Sequence, residues 1–342
     1  MIERVDAVVV GGGVMGLATA HALRGMGREV VVLEQFRVGH TRGSSHGATR
    51  IFRLAYDDPG WVRLAQESLA LWRDLEAESG ERLLELNGLL DLTDDPAPLV
   101  TALESCGIAY ELLDPAETLR RFDLATRCCK VVLQPDAGVV RADRAVVAFG
   151  RGLDVREESR VRAFEAGEGT VRLETERGSI EADVAVVAAG GWSRELLAGA
   201  GIDLPVVATR ETVAFFELAT EHPPPSVIDY RGGETYALNA LGRLKVGLHR
   251  SGPPTDPDDE GEADEDIVRR ATEWAQVAFR LARPEPVAVE TCIYTSTPDA
   301  DFVLERHGPI VVCSACSGHG FKFAPAVGRR AAELAGHNRA SE

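Results

Sequence analysis

The segment from Asp6 to Gly16 constrains this chain more than any other. A short apolar run, Asp6–Val10, leads directly into Gly11-Gly12-Gly13-Val14-Met15-Gly16, and an apolar stretch continues to Gly27. That order predicts a strand, a tight glycine turn and a helix. Gly11, Gly13 and Gly16 form G-x-G-x-x-G, in which glycines let the turn close and let backbone amides approach a pyrophosphate at the helix N-terminus. A second apolar run, Glu29–Glu34, completes a βαβ unit. Its acidic end, Glu34, stands where a carboxylate accepts hydrogen bonds from an adenosine ribose. Dinucleotide binding is therefore expected, with Val14 and Met15 carried on the same loop.

The rest of the chain sets the bounds. Its 342 residues, 45% of them hydrophobic, suffice for one large domain or two medium ones. A formal net charge of -17 repels phosphate backbones and anionic membrane surfaces, so no nucleic acid or membrane partner is expected. Met1–Arg4 runs straight into the first strand, and no apolar run nears the ~20 residues of a membrane helix. The expectation is a soluble, cytoplasmic protein. Six cysteines in this length do not make a disulfide framework, and Cys128 and Cys129 are adjacent. Cys313-Ser314-Ala315-Cys316 has the spacing of a redox pair or half a zinc site. With no second such pair, strand-end residues are the better reading, and no metal is expected.

Farther along, a helix is expected from about Trp61 to Glu78, a strand at Gly88–Leu92 and a helix at Asp143–Gly152. Strand patterns follow at Val161–Glu165, Val171–Thr175, Ser179–Glu181 and Val184–Ala189, the last ending in Gly190-Gly191. Alternating segments at Thr212–Glu217, Glu234–Asn239 and Arg243–Gly247 suggest an antiparallel sheet. The acidic stretch Asp256–Asp266 reads as a solvated surface before a helix reaching about Arg283. The fold class expected is α/β: a dinucleotide domain on a parallel sheet assembled from discontinuous pieces, with a second α+β domain on the antiparallel sheet. The boundaries are 1–57, 135–205 and 290–342 for the first, and 58–134 and 206–289 for the substrate-binding domain.

Two features favour FAD over a nicotinamide cofactor. The segment after Glu34 is long and basic, containing Arg37, His40, Arg42, Arg50 and Arg53. The strand ending Ala188-Ala189-Gly190-Gly191 is placed like a second approach to the cofactor.

Four stretches carry a resemblance across nearly the whole chain: Gly11–Gly16 with Glu34; Gly43-Ser44-Ser45-His46-Gly47-Ala48-Thr49-Arg50-Ile51-Phe52-Arg53; Cys292-Ile293-Tyr294-Thr295-Ser296-Thr297-Pro298-Asp299; and Ser317-Gly318-His319-Gly320-Phe321-Lys322-Phe323. Together they resemble the monomeric sarcosine oxidase and N-methyltryptophan oxidase family of flavoproteins. The resemblance implies FAD, a small amino-acid or amine substrate, molecular oxygen as acceptor, and a monomer.

It also implies roles. Arg53 and Lys322 match the pair that holds the substrate carboxylate, which suits a charge-assisted fork. Lys245 matches a lysine that promotes reaction with oxygen, His249 a residue near the substrate, and Tyr236 and Tyr294 aromatic walls. Arg42, Ser45, His46, Thr49, Arg50, Val161, Gly190, Trp192 and Phe321 fall on the cofactor side. Ser45 stands where the family pattern has the first of two histidines. Gly318 and Gly320 permit close backbone approach to the flavin, with His319 at the ring edge. Cys316 matches the cysteine that carries FAD through a thioether, leaving Cys292 as a core or pocket-wall residue. The implied activity is oxidation of the C-N bond of a small secondary or N-methylated amino acid to an imine, oxygen being reduced to hydrogen peroxide. A dehydrogenase with another acceptor, a non-catalytic dinucleotide-binding protein and a thiol-disulfide enzyme are the alternatives.

Overall fold

The computed structural model describes residues 2–127, 130–220, 223–314 and 317–336. Strand Glu3–Val10 pairs in parallel with Val30–Leu33 on one side and Gly178–Val187 on the other. Asp154–Arg156 and Ile310–Ser314 extend this parallel core at its two ends. The antiparallel strands Val161–Ala166, Val171–Thr175 and Val303–His307 complete an eight-stranded sheet. Its centre is made of near-continuous apolar runs, Ala7–Val10, Val30–Leu33, Val184–Val187 and Ile310–Cys313, as strands covered on both faces require.

One expectation changes here. Ser179–Glu181 and Val184–Ala189 are a single strand, Gly178–Val187, with Ala188 and Ala189 beyond its end. Its first half pairs with Val171–Thr175, and Ala185–Val187 pairs with Ile310–Val312. One long strand thus serves two partners along one edge, a change of partner that its side-chain pattern does not record.

The second eight-stranded sheet is built around Val207–Phe216, flanked by Ala288–Ser296 and Arg243–Leu248. It is antiparallel except where Ser226–Asp229 meets Leu89–Thr93 in parallel. Helix Glu265–Ala278 packs its apolar face on this sheet. Asp264 caps that helix by accepting from the amides of Asp266 and Ile267, and two acids in the first turn suit the dipole. The helix stops at Ala278 rather than near Arg283, because Phe279 leaves in an extended conformation.

Helix Val14–Gly25 runs from the glycine turn and packs against helix Ala324–Gly336. Helix Pro59–Ser79 starts at the cap Asp58 and ends at Gly80 in the left-handed region. Among the described residues no helix is long and apolar enough to cross a membrane.

Candidate active site

The register of the parallel core brings three chain segments together. Val10, Leu33 and Val187 lie side by side, so Gly11, Glu34 and Ala188–Gly190 emerge at the same carboxyl edge. That edge is where open parallel sheets bind ligands. A cavity of about 540 Å³ starts there and continues between the two sheets to the strands carrying Tyr236, Lys245 and Tyr294.

At the sheet edge, Glu34 is buried. One carboxylate oxygen accepts from the amide of Gly12 at 2.6 Å and the other from that of Phe36 at 2.8 Å. The carboxylate therefore also ties the glycine turn to the second strand, while its remaining lone pairs can accept ribose hydroxyls. Ser45 Oγ accepts from the amide of Val14 at 3.0 Å and so anchors the following loop on the helix start. Gly16 does not line the cavity. A Cβ there would lie 1.9 Å from the carbonyl oxygen of Gly11, so this glycine serves the contact between helix and turn.

Midway, Arg50 braces the loop by donating to the carbonyls of Ser44, His46 and Thr49 at 2.6–2.9 Å, and its guanidinium lies 5.7 Å from the Phe321 ring centre. Burial, with Arg50 and Lys245 nearby, pulls His46 down to about 4, so it is neutral at ordinary pH. Lys245 is buried in the strand Arg243–Leu248. Burial, and then Arg50, lowers its ammonium to about 8. Among the described residues that ammonium has no hydrogen bond or ion pair; the nearest ring is Phe215, at 6.0 Å. Cys292 lines the same stretch, buried, its thiol pushed up by burial against the opposing pull of Lys245 and Arg50.

At the far end Arg53 and Lys322 converge on Tyr56. The guanidinium carbon of Arg53 lies 4.2 Å from the Tyr56 ring centre, and Lys322 Nζ donates to the Tyr56 hydroxyl at 3.0 Å. Both cations are buried and line the cavity. Arg53 donates to the hydroxyl of Tyr230, which donates to Asp91 Oδ1 at 3.1 Å. Gln134 donates to the other oxygen of Asp91, and its own carbonyl accepts from the amides of Leu54 and Ala55 at 3.0 and 2.6 Å. The backbone beyond Arg53 and the acid behind it are thus fixed by one glutamine. Burial raises Asp91 to about 6, against the pull of Arg53.

The loop Ser317–Gly320 connects strand Ile310–Ser314 to the helical segment starting at Phe321. Gly318 has φ 78°, and a Cβ there would meet Tyr294 at 2.2 Å and His249 at 2.5 Å. His319 lines the cavity, yet its ring packs among Tyr56, Trp61, Phe302 and Phe323, and Nε2 faces the Ala300 carbonyl at 3.2 Å. Burial and Lys322 hold it neutral, down to about 2, and burial likewise lowers His249 to about 4.

Of the residues singled out in the sequence, Gly11, Gly13, Val14, Met15, Glu34, Ser45, His46, Thr49, Arg50, Arg53, Val161, Gly190, Trp192, Tyr236, Lys245, His249, Tyr294, Gly318, His319, Gly320, Phe321 and Lys322 all line this cavity. Arg42 does not. It donates to the carbonyl of Asp258 at 2.5 Å and pairs with Glu260 at 3.2 Å. Cys316 lies outside the described residues. The acidic stretch is more than a solvated surface, since Asp258 pairs with Arg160 at 2.8 Å and accepts from the Trp192 indole at 2.7 Å. Tyr56, Asp91, Gln134, Tyr230 and Glu234 are absent from the sequence-derived site.

The family profile described as FAD dependent oxidoreductase matches residues 6–334. This chain belongs to that family. It is 30% identical to monomeric sarcosine oxidase of Bacillus sp. (strain B-0618), over 98% of this chain and 93% of that one. It is 28% identical to N-methyl-L-tryptophan oxidase of Yersinia pestis (strain Pestoides F), over 96% and 94%. The solved structure of NikD, an unusual amino acid oxidase essential for nikkomycin biosynthesis, superposes in its open form with a TM-score of 0.88 at 28% identity, covering 99% of this chain and 96% of NikD.

The residues present fit the family's cofactor. Amides of the glycine turn and the Glu34 carboxylate converge at the sheet edge, as an adenosine diphosphate requires. Two cavity-lining residues, His46 and Thr295, carry buried polar atoms with no partner among the described residues, a polar demand that a bound group would meet.

Proposed function

We propose that this protein oxidises the C-N bond of a small secondary or N-methylated amino acid to an imine, with FAD as cofactor and oxygen as final acceptor, giving hydrogen peroxide. The convergence of Arg53 and Lys322 on Tyr56 at one end of a cavity that begins at the glycine turn carries this reading. Two buried cations facing a shared space suit a carboxylate, and the reaction needs such an anchor to present one particular C-H bond.

Gly11–Gly16 and Glu34 would hold the adenosine diphosphate half of FAD, while the loops 44–50 and 317–321 would hold the flavin. Bound there, FAD supplies the acceptor for two electrons and passes them to oxygen. Arg53 and Lys322 orient the substrate by its carboxylate; Tyr236 and Tyr294 exclude water from its flank. Lys245, a buried cation with no ion pair among the described residues, stabilises the negative charge that oxygen acquires. His249 and His319, both neutral, add no competing charge. Hydride loss requires a neutral amine, so the substrate nitrogen must shed its proton before reacting. The chain divides its labour accordingly, 1–57, 135–205 and 290–342 binding cofactor and 58–134 and 206–289 binding substrate; sheet membership supports this, with strand Ala288–Ser296 spanning a boundary. We assign one chain per functional unit, in keeping with the name of the monomeric sarcosine oxidase relative.

Covalent attachment of the cofactor through a cysteine belongs to the same reading. Cys316 is the thiol the sequence favours. Cys292 and Cys313 are buried thiols on the cavity wall; Cys292 lies near Lys245 and Arg50, whose charges partly offset the rise that burial imposes on its thiol. Such a thioether would exchange the thiol S-H and one cofactor methyl C-H for a C-S bond, and oxygen would take up the two electrons and two protons released as hydrogen peroxide. Acid precipitation of Cys292→Ser and Cys316→Ser proteins separates the two, since only loss of the true link moves the yellow colour to the supernatant.

Anaerobic bleaching against sarcosine, other N-methyl amino acids, proline, pipecolate and primary amino acids tests the whole. Bleaching by N-methyl or cyclic secondary substrates, followed by oxygen uptake, is expected. A flavin untouched by every member would overturn the proposal.

A further inference from the structure

Glu234 lies at the carboxylate-binding end of the cavity, and nothing in the amino-acid oxidation proposed above uses it. It ends the loop that follows strand Ser226–Asp229, and its approach is unusual. Gly232, Gly233 and Glu234 have φ of 67°, 110° and 42°, three successive residues in the left-handed region. A non-glycine residue there is strained, and such strain collects at functional positions. The loop is held in place by the amide of His249, which donates to the Glu234 carbonyl at 2.9 Å. The result is a half-buried carboxylate on the cavity wall.

That carboxylate has no hydrogen bond or ion pair among the described residues. Its charge nevertheless acts on Arg53, Lys322 and His249, which places it in the field of the clamp. Of the other acids on the cavity wall, Glu34 is committed to the glycine turn and Glu195 lies on the short helix after Trp192. Ile51, Ile228, Tyr236 and Leu238 line the same cavity, and the Arg270 guanidinium comes close to Gly233, the residue before Glu234.

Charge decides what such a wall accepts. Asp91, reached through Tyr230, balances one of the two clamp charges, and a substrate carboxylate held by Arg53 and Lys322 balances the other. Once a substrate displaces water, Glu234 needs a donor, and a neutral side chain leaves it unmatched. The reacting nitrogen is unsuited, because a carboxylate beside it would hold its proton and block hydride loss.

We propose that Glu234 forms a subsite for a second, positively charged nitrogen, so that the preferred substrates are N-methylated or cyclic secondary amino acids with a cationic side chain. The inference rests on the oxidation proposed above and names its substrate class.

The test uses pairs differing only in a terminal ammonium: Nα-methylornithine against Nα-methylnorvaline, and Nα-methyllysine against Nα-methylnorleucine, both enantiomers of each, with sarcosine as reference. The readout is kcat/KM for anaerobic flavin reduction by the holoenzyme. The cationic member of a pair is expected to win by about tenfold or more, the scale of a hydrogen bond between charged groups. Glu234→Gln is expected to bring that ratio close to one. A ratio near one in the unmodified enzyme overturns the proposal without recourse to any variant and leaves the oxidation intact. So does a Glu234→Gln protein that keeps the ratio, or one that loses rate equally on every substrate with a shifted pH profile, which would assign Glu234 to the reacting amine. If no member reduces the flavin, this proposal falls, and the oxidation itself is decided by the wider panel above, which includes proline and pipecolate.

Discussion

The carboxylate of Asp91 stands 3.9 Å behind the guanidinium of Arg53, and the hydroxyl of Tyr230 bridges the two. Asp91 is fully buried, so its charge is tolerated only because Arg53, Tyr230 and Gln134 surround it. The guanidinium is aimed by this chain of contacts and not by its own flexible stem. Tyr230→Phe removes the bridge while keeping the ring. It should raise KM for the amino acid about tenfold with little change in kcat, the cost of one hydrogen bond to a charged group. Steady-state kinetics distinguish this from a general loss of folding, which would lower the active fraction and hence kcat.

If Lys245 serves the oxygen step as proposed, the two half-reactions should respond oppositely to pH. Its ammonium, lowered to about 8, is charged below that pH and neutral above it. The reaction of reduced enzyme with oxygen should therefore slow as pH rises through about 8. Flavin reduction should speed up over the same range, as the substrate amine loses its proton. Stopped-flow measurement of each half-reaction checks both slopes. Lys245→Met should slow the oxygen step by about 10²–10³, the scale of removing one preorganised charge-stabilising group, and abolish its pH dependence near 8.

Gly318 admits no side chain. Its left-handed backbone and the contacts at 2.2 and 2.5 Å mean that Gly318→Ala must displace Tyr294 or His249. Overpacking of this kind costs about 1–3 kcal/mol. The variant should melt earlier and reduce its flavin more slowly, by calorimetry and anaerobic bleaching respectively.

Glu34 holds the glycine turn as well as lining the cavity. Glu34→Ala leaves the amides of Gly12 and Phe36 without their acceptor. It should lower both the flavin content of the purified protein and its melting temperature. Glu34→Gln, which keeps one acceptor, should recover part of the second loss.

The cofactor end was legible because its signals are local: glycines, an apolar strand and an acid within one βαβ unit. The division into a parallel and a largely antiparallel sheet was legible from runs and alternation. The support behind Arg53 was not. Asp91 announces itself, as an acid inside Leu89-Leu90-Asp91-Leu92, and burial obliges it to find a partner. Yet Gln134 is 43 residues away and Tyr230 is 139, and no periodicity encodes either meeting. The position of Arg42 off the cavity wall was not legible for the same reason: its partners, Asp258 and Glu260, arrive from more than 200 residues along the chain.

Strand Gly178–Val187 lies between the first strand of the fold and the last, Ile310–Ser314. Ribosomes therefore deliver the two flanks of the cofactor sheet far apart in time. At about 5–20 residues per second, the interval between Val10 and Ile310 lasts roughly 15–60 s. For the last roughly 6–25 s of it, once Val187 has been made, the edge Ala185–Val187 lacks its neighbour, and the loop Ser317–Gly320 has yet to emerge. Cofactor capture is accordingly a late event in the life of the nascent polypeptide, and the open edge is the surface a chaperone would have to shield until then.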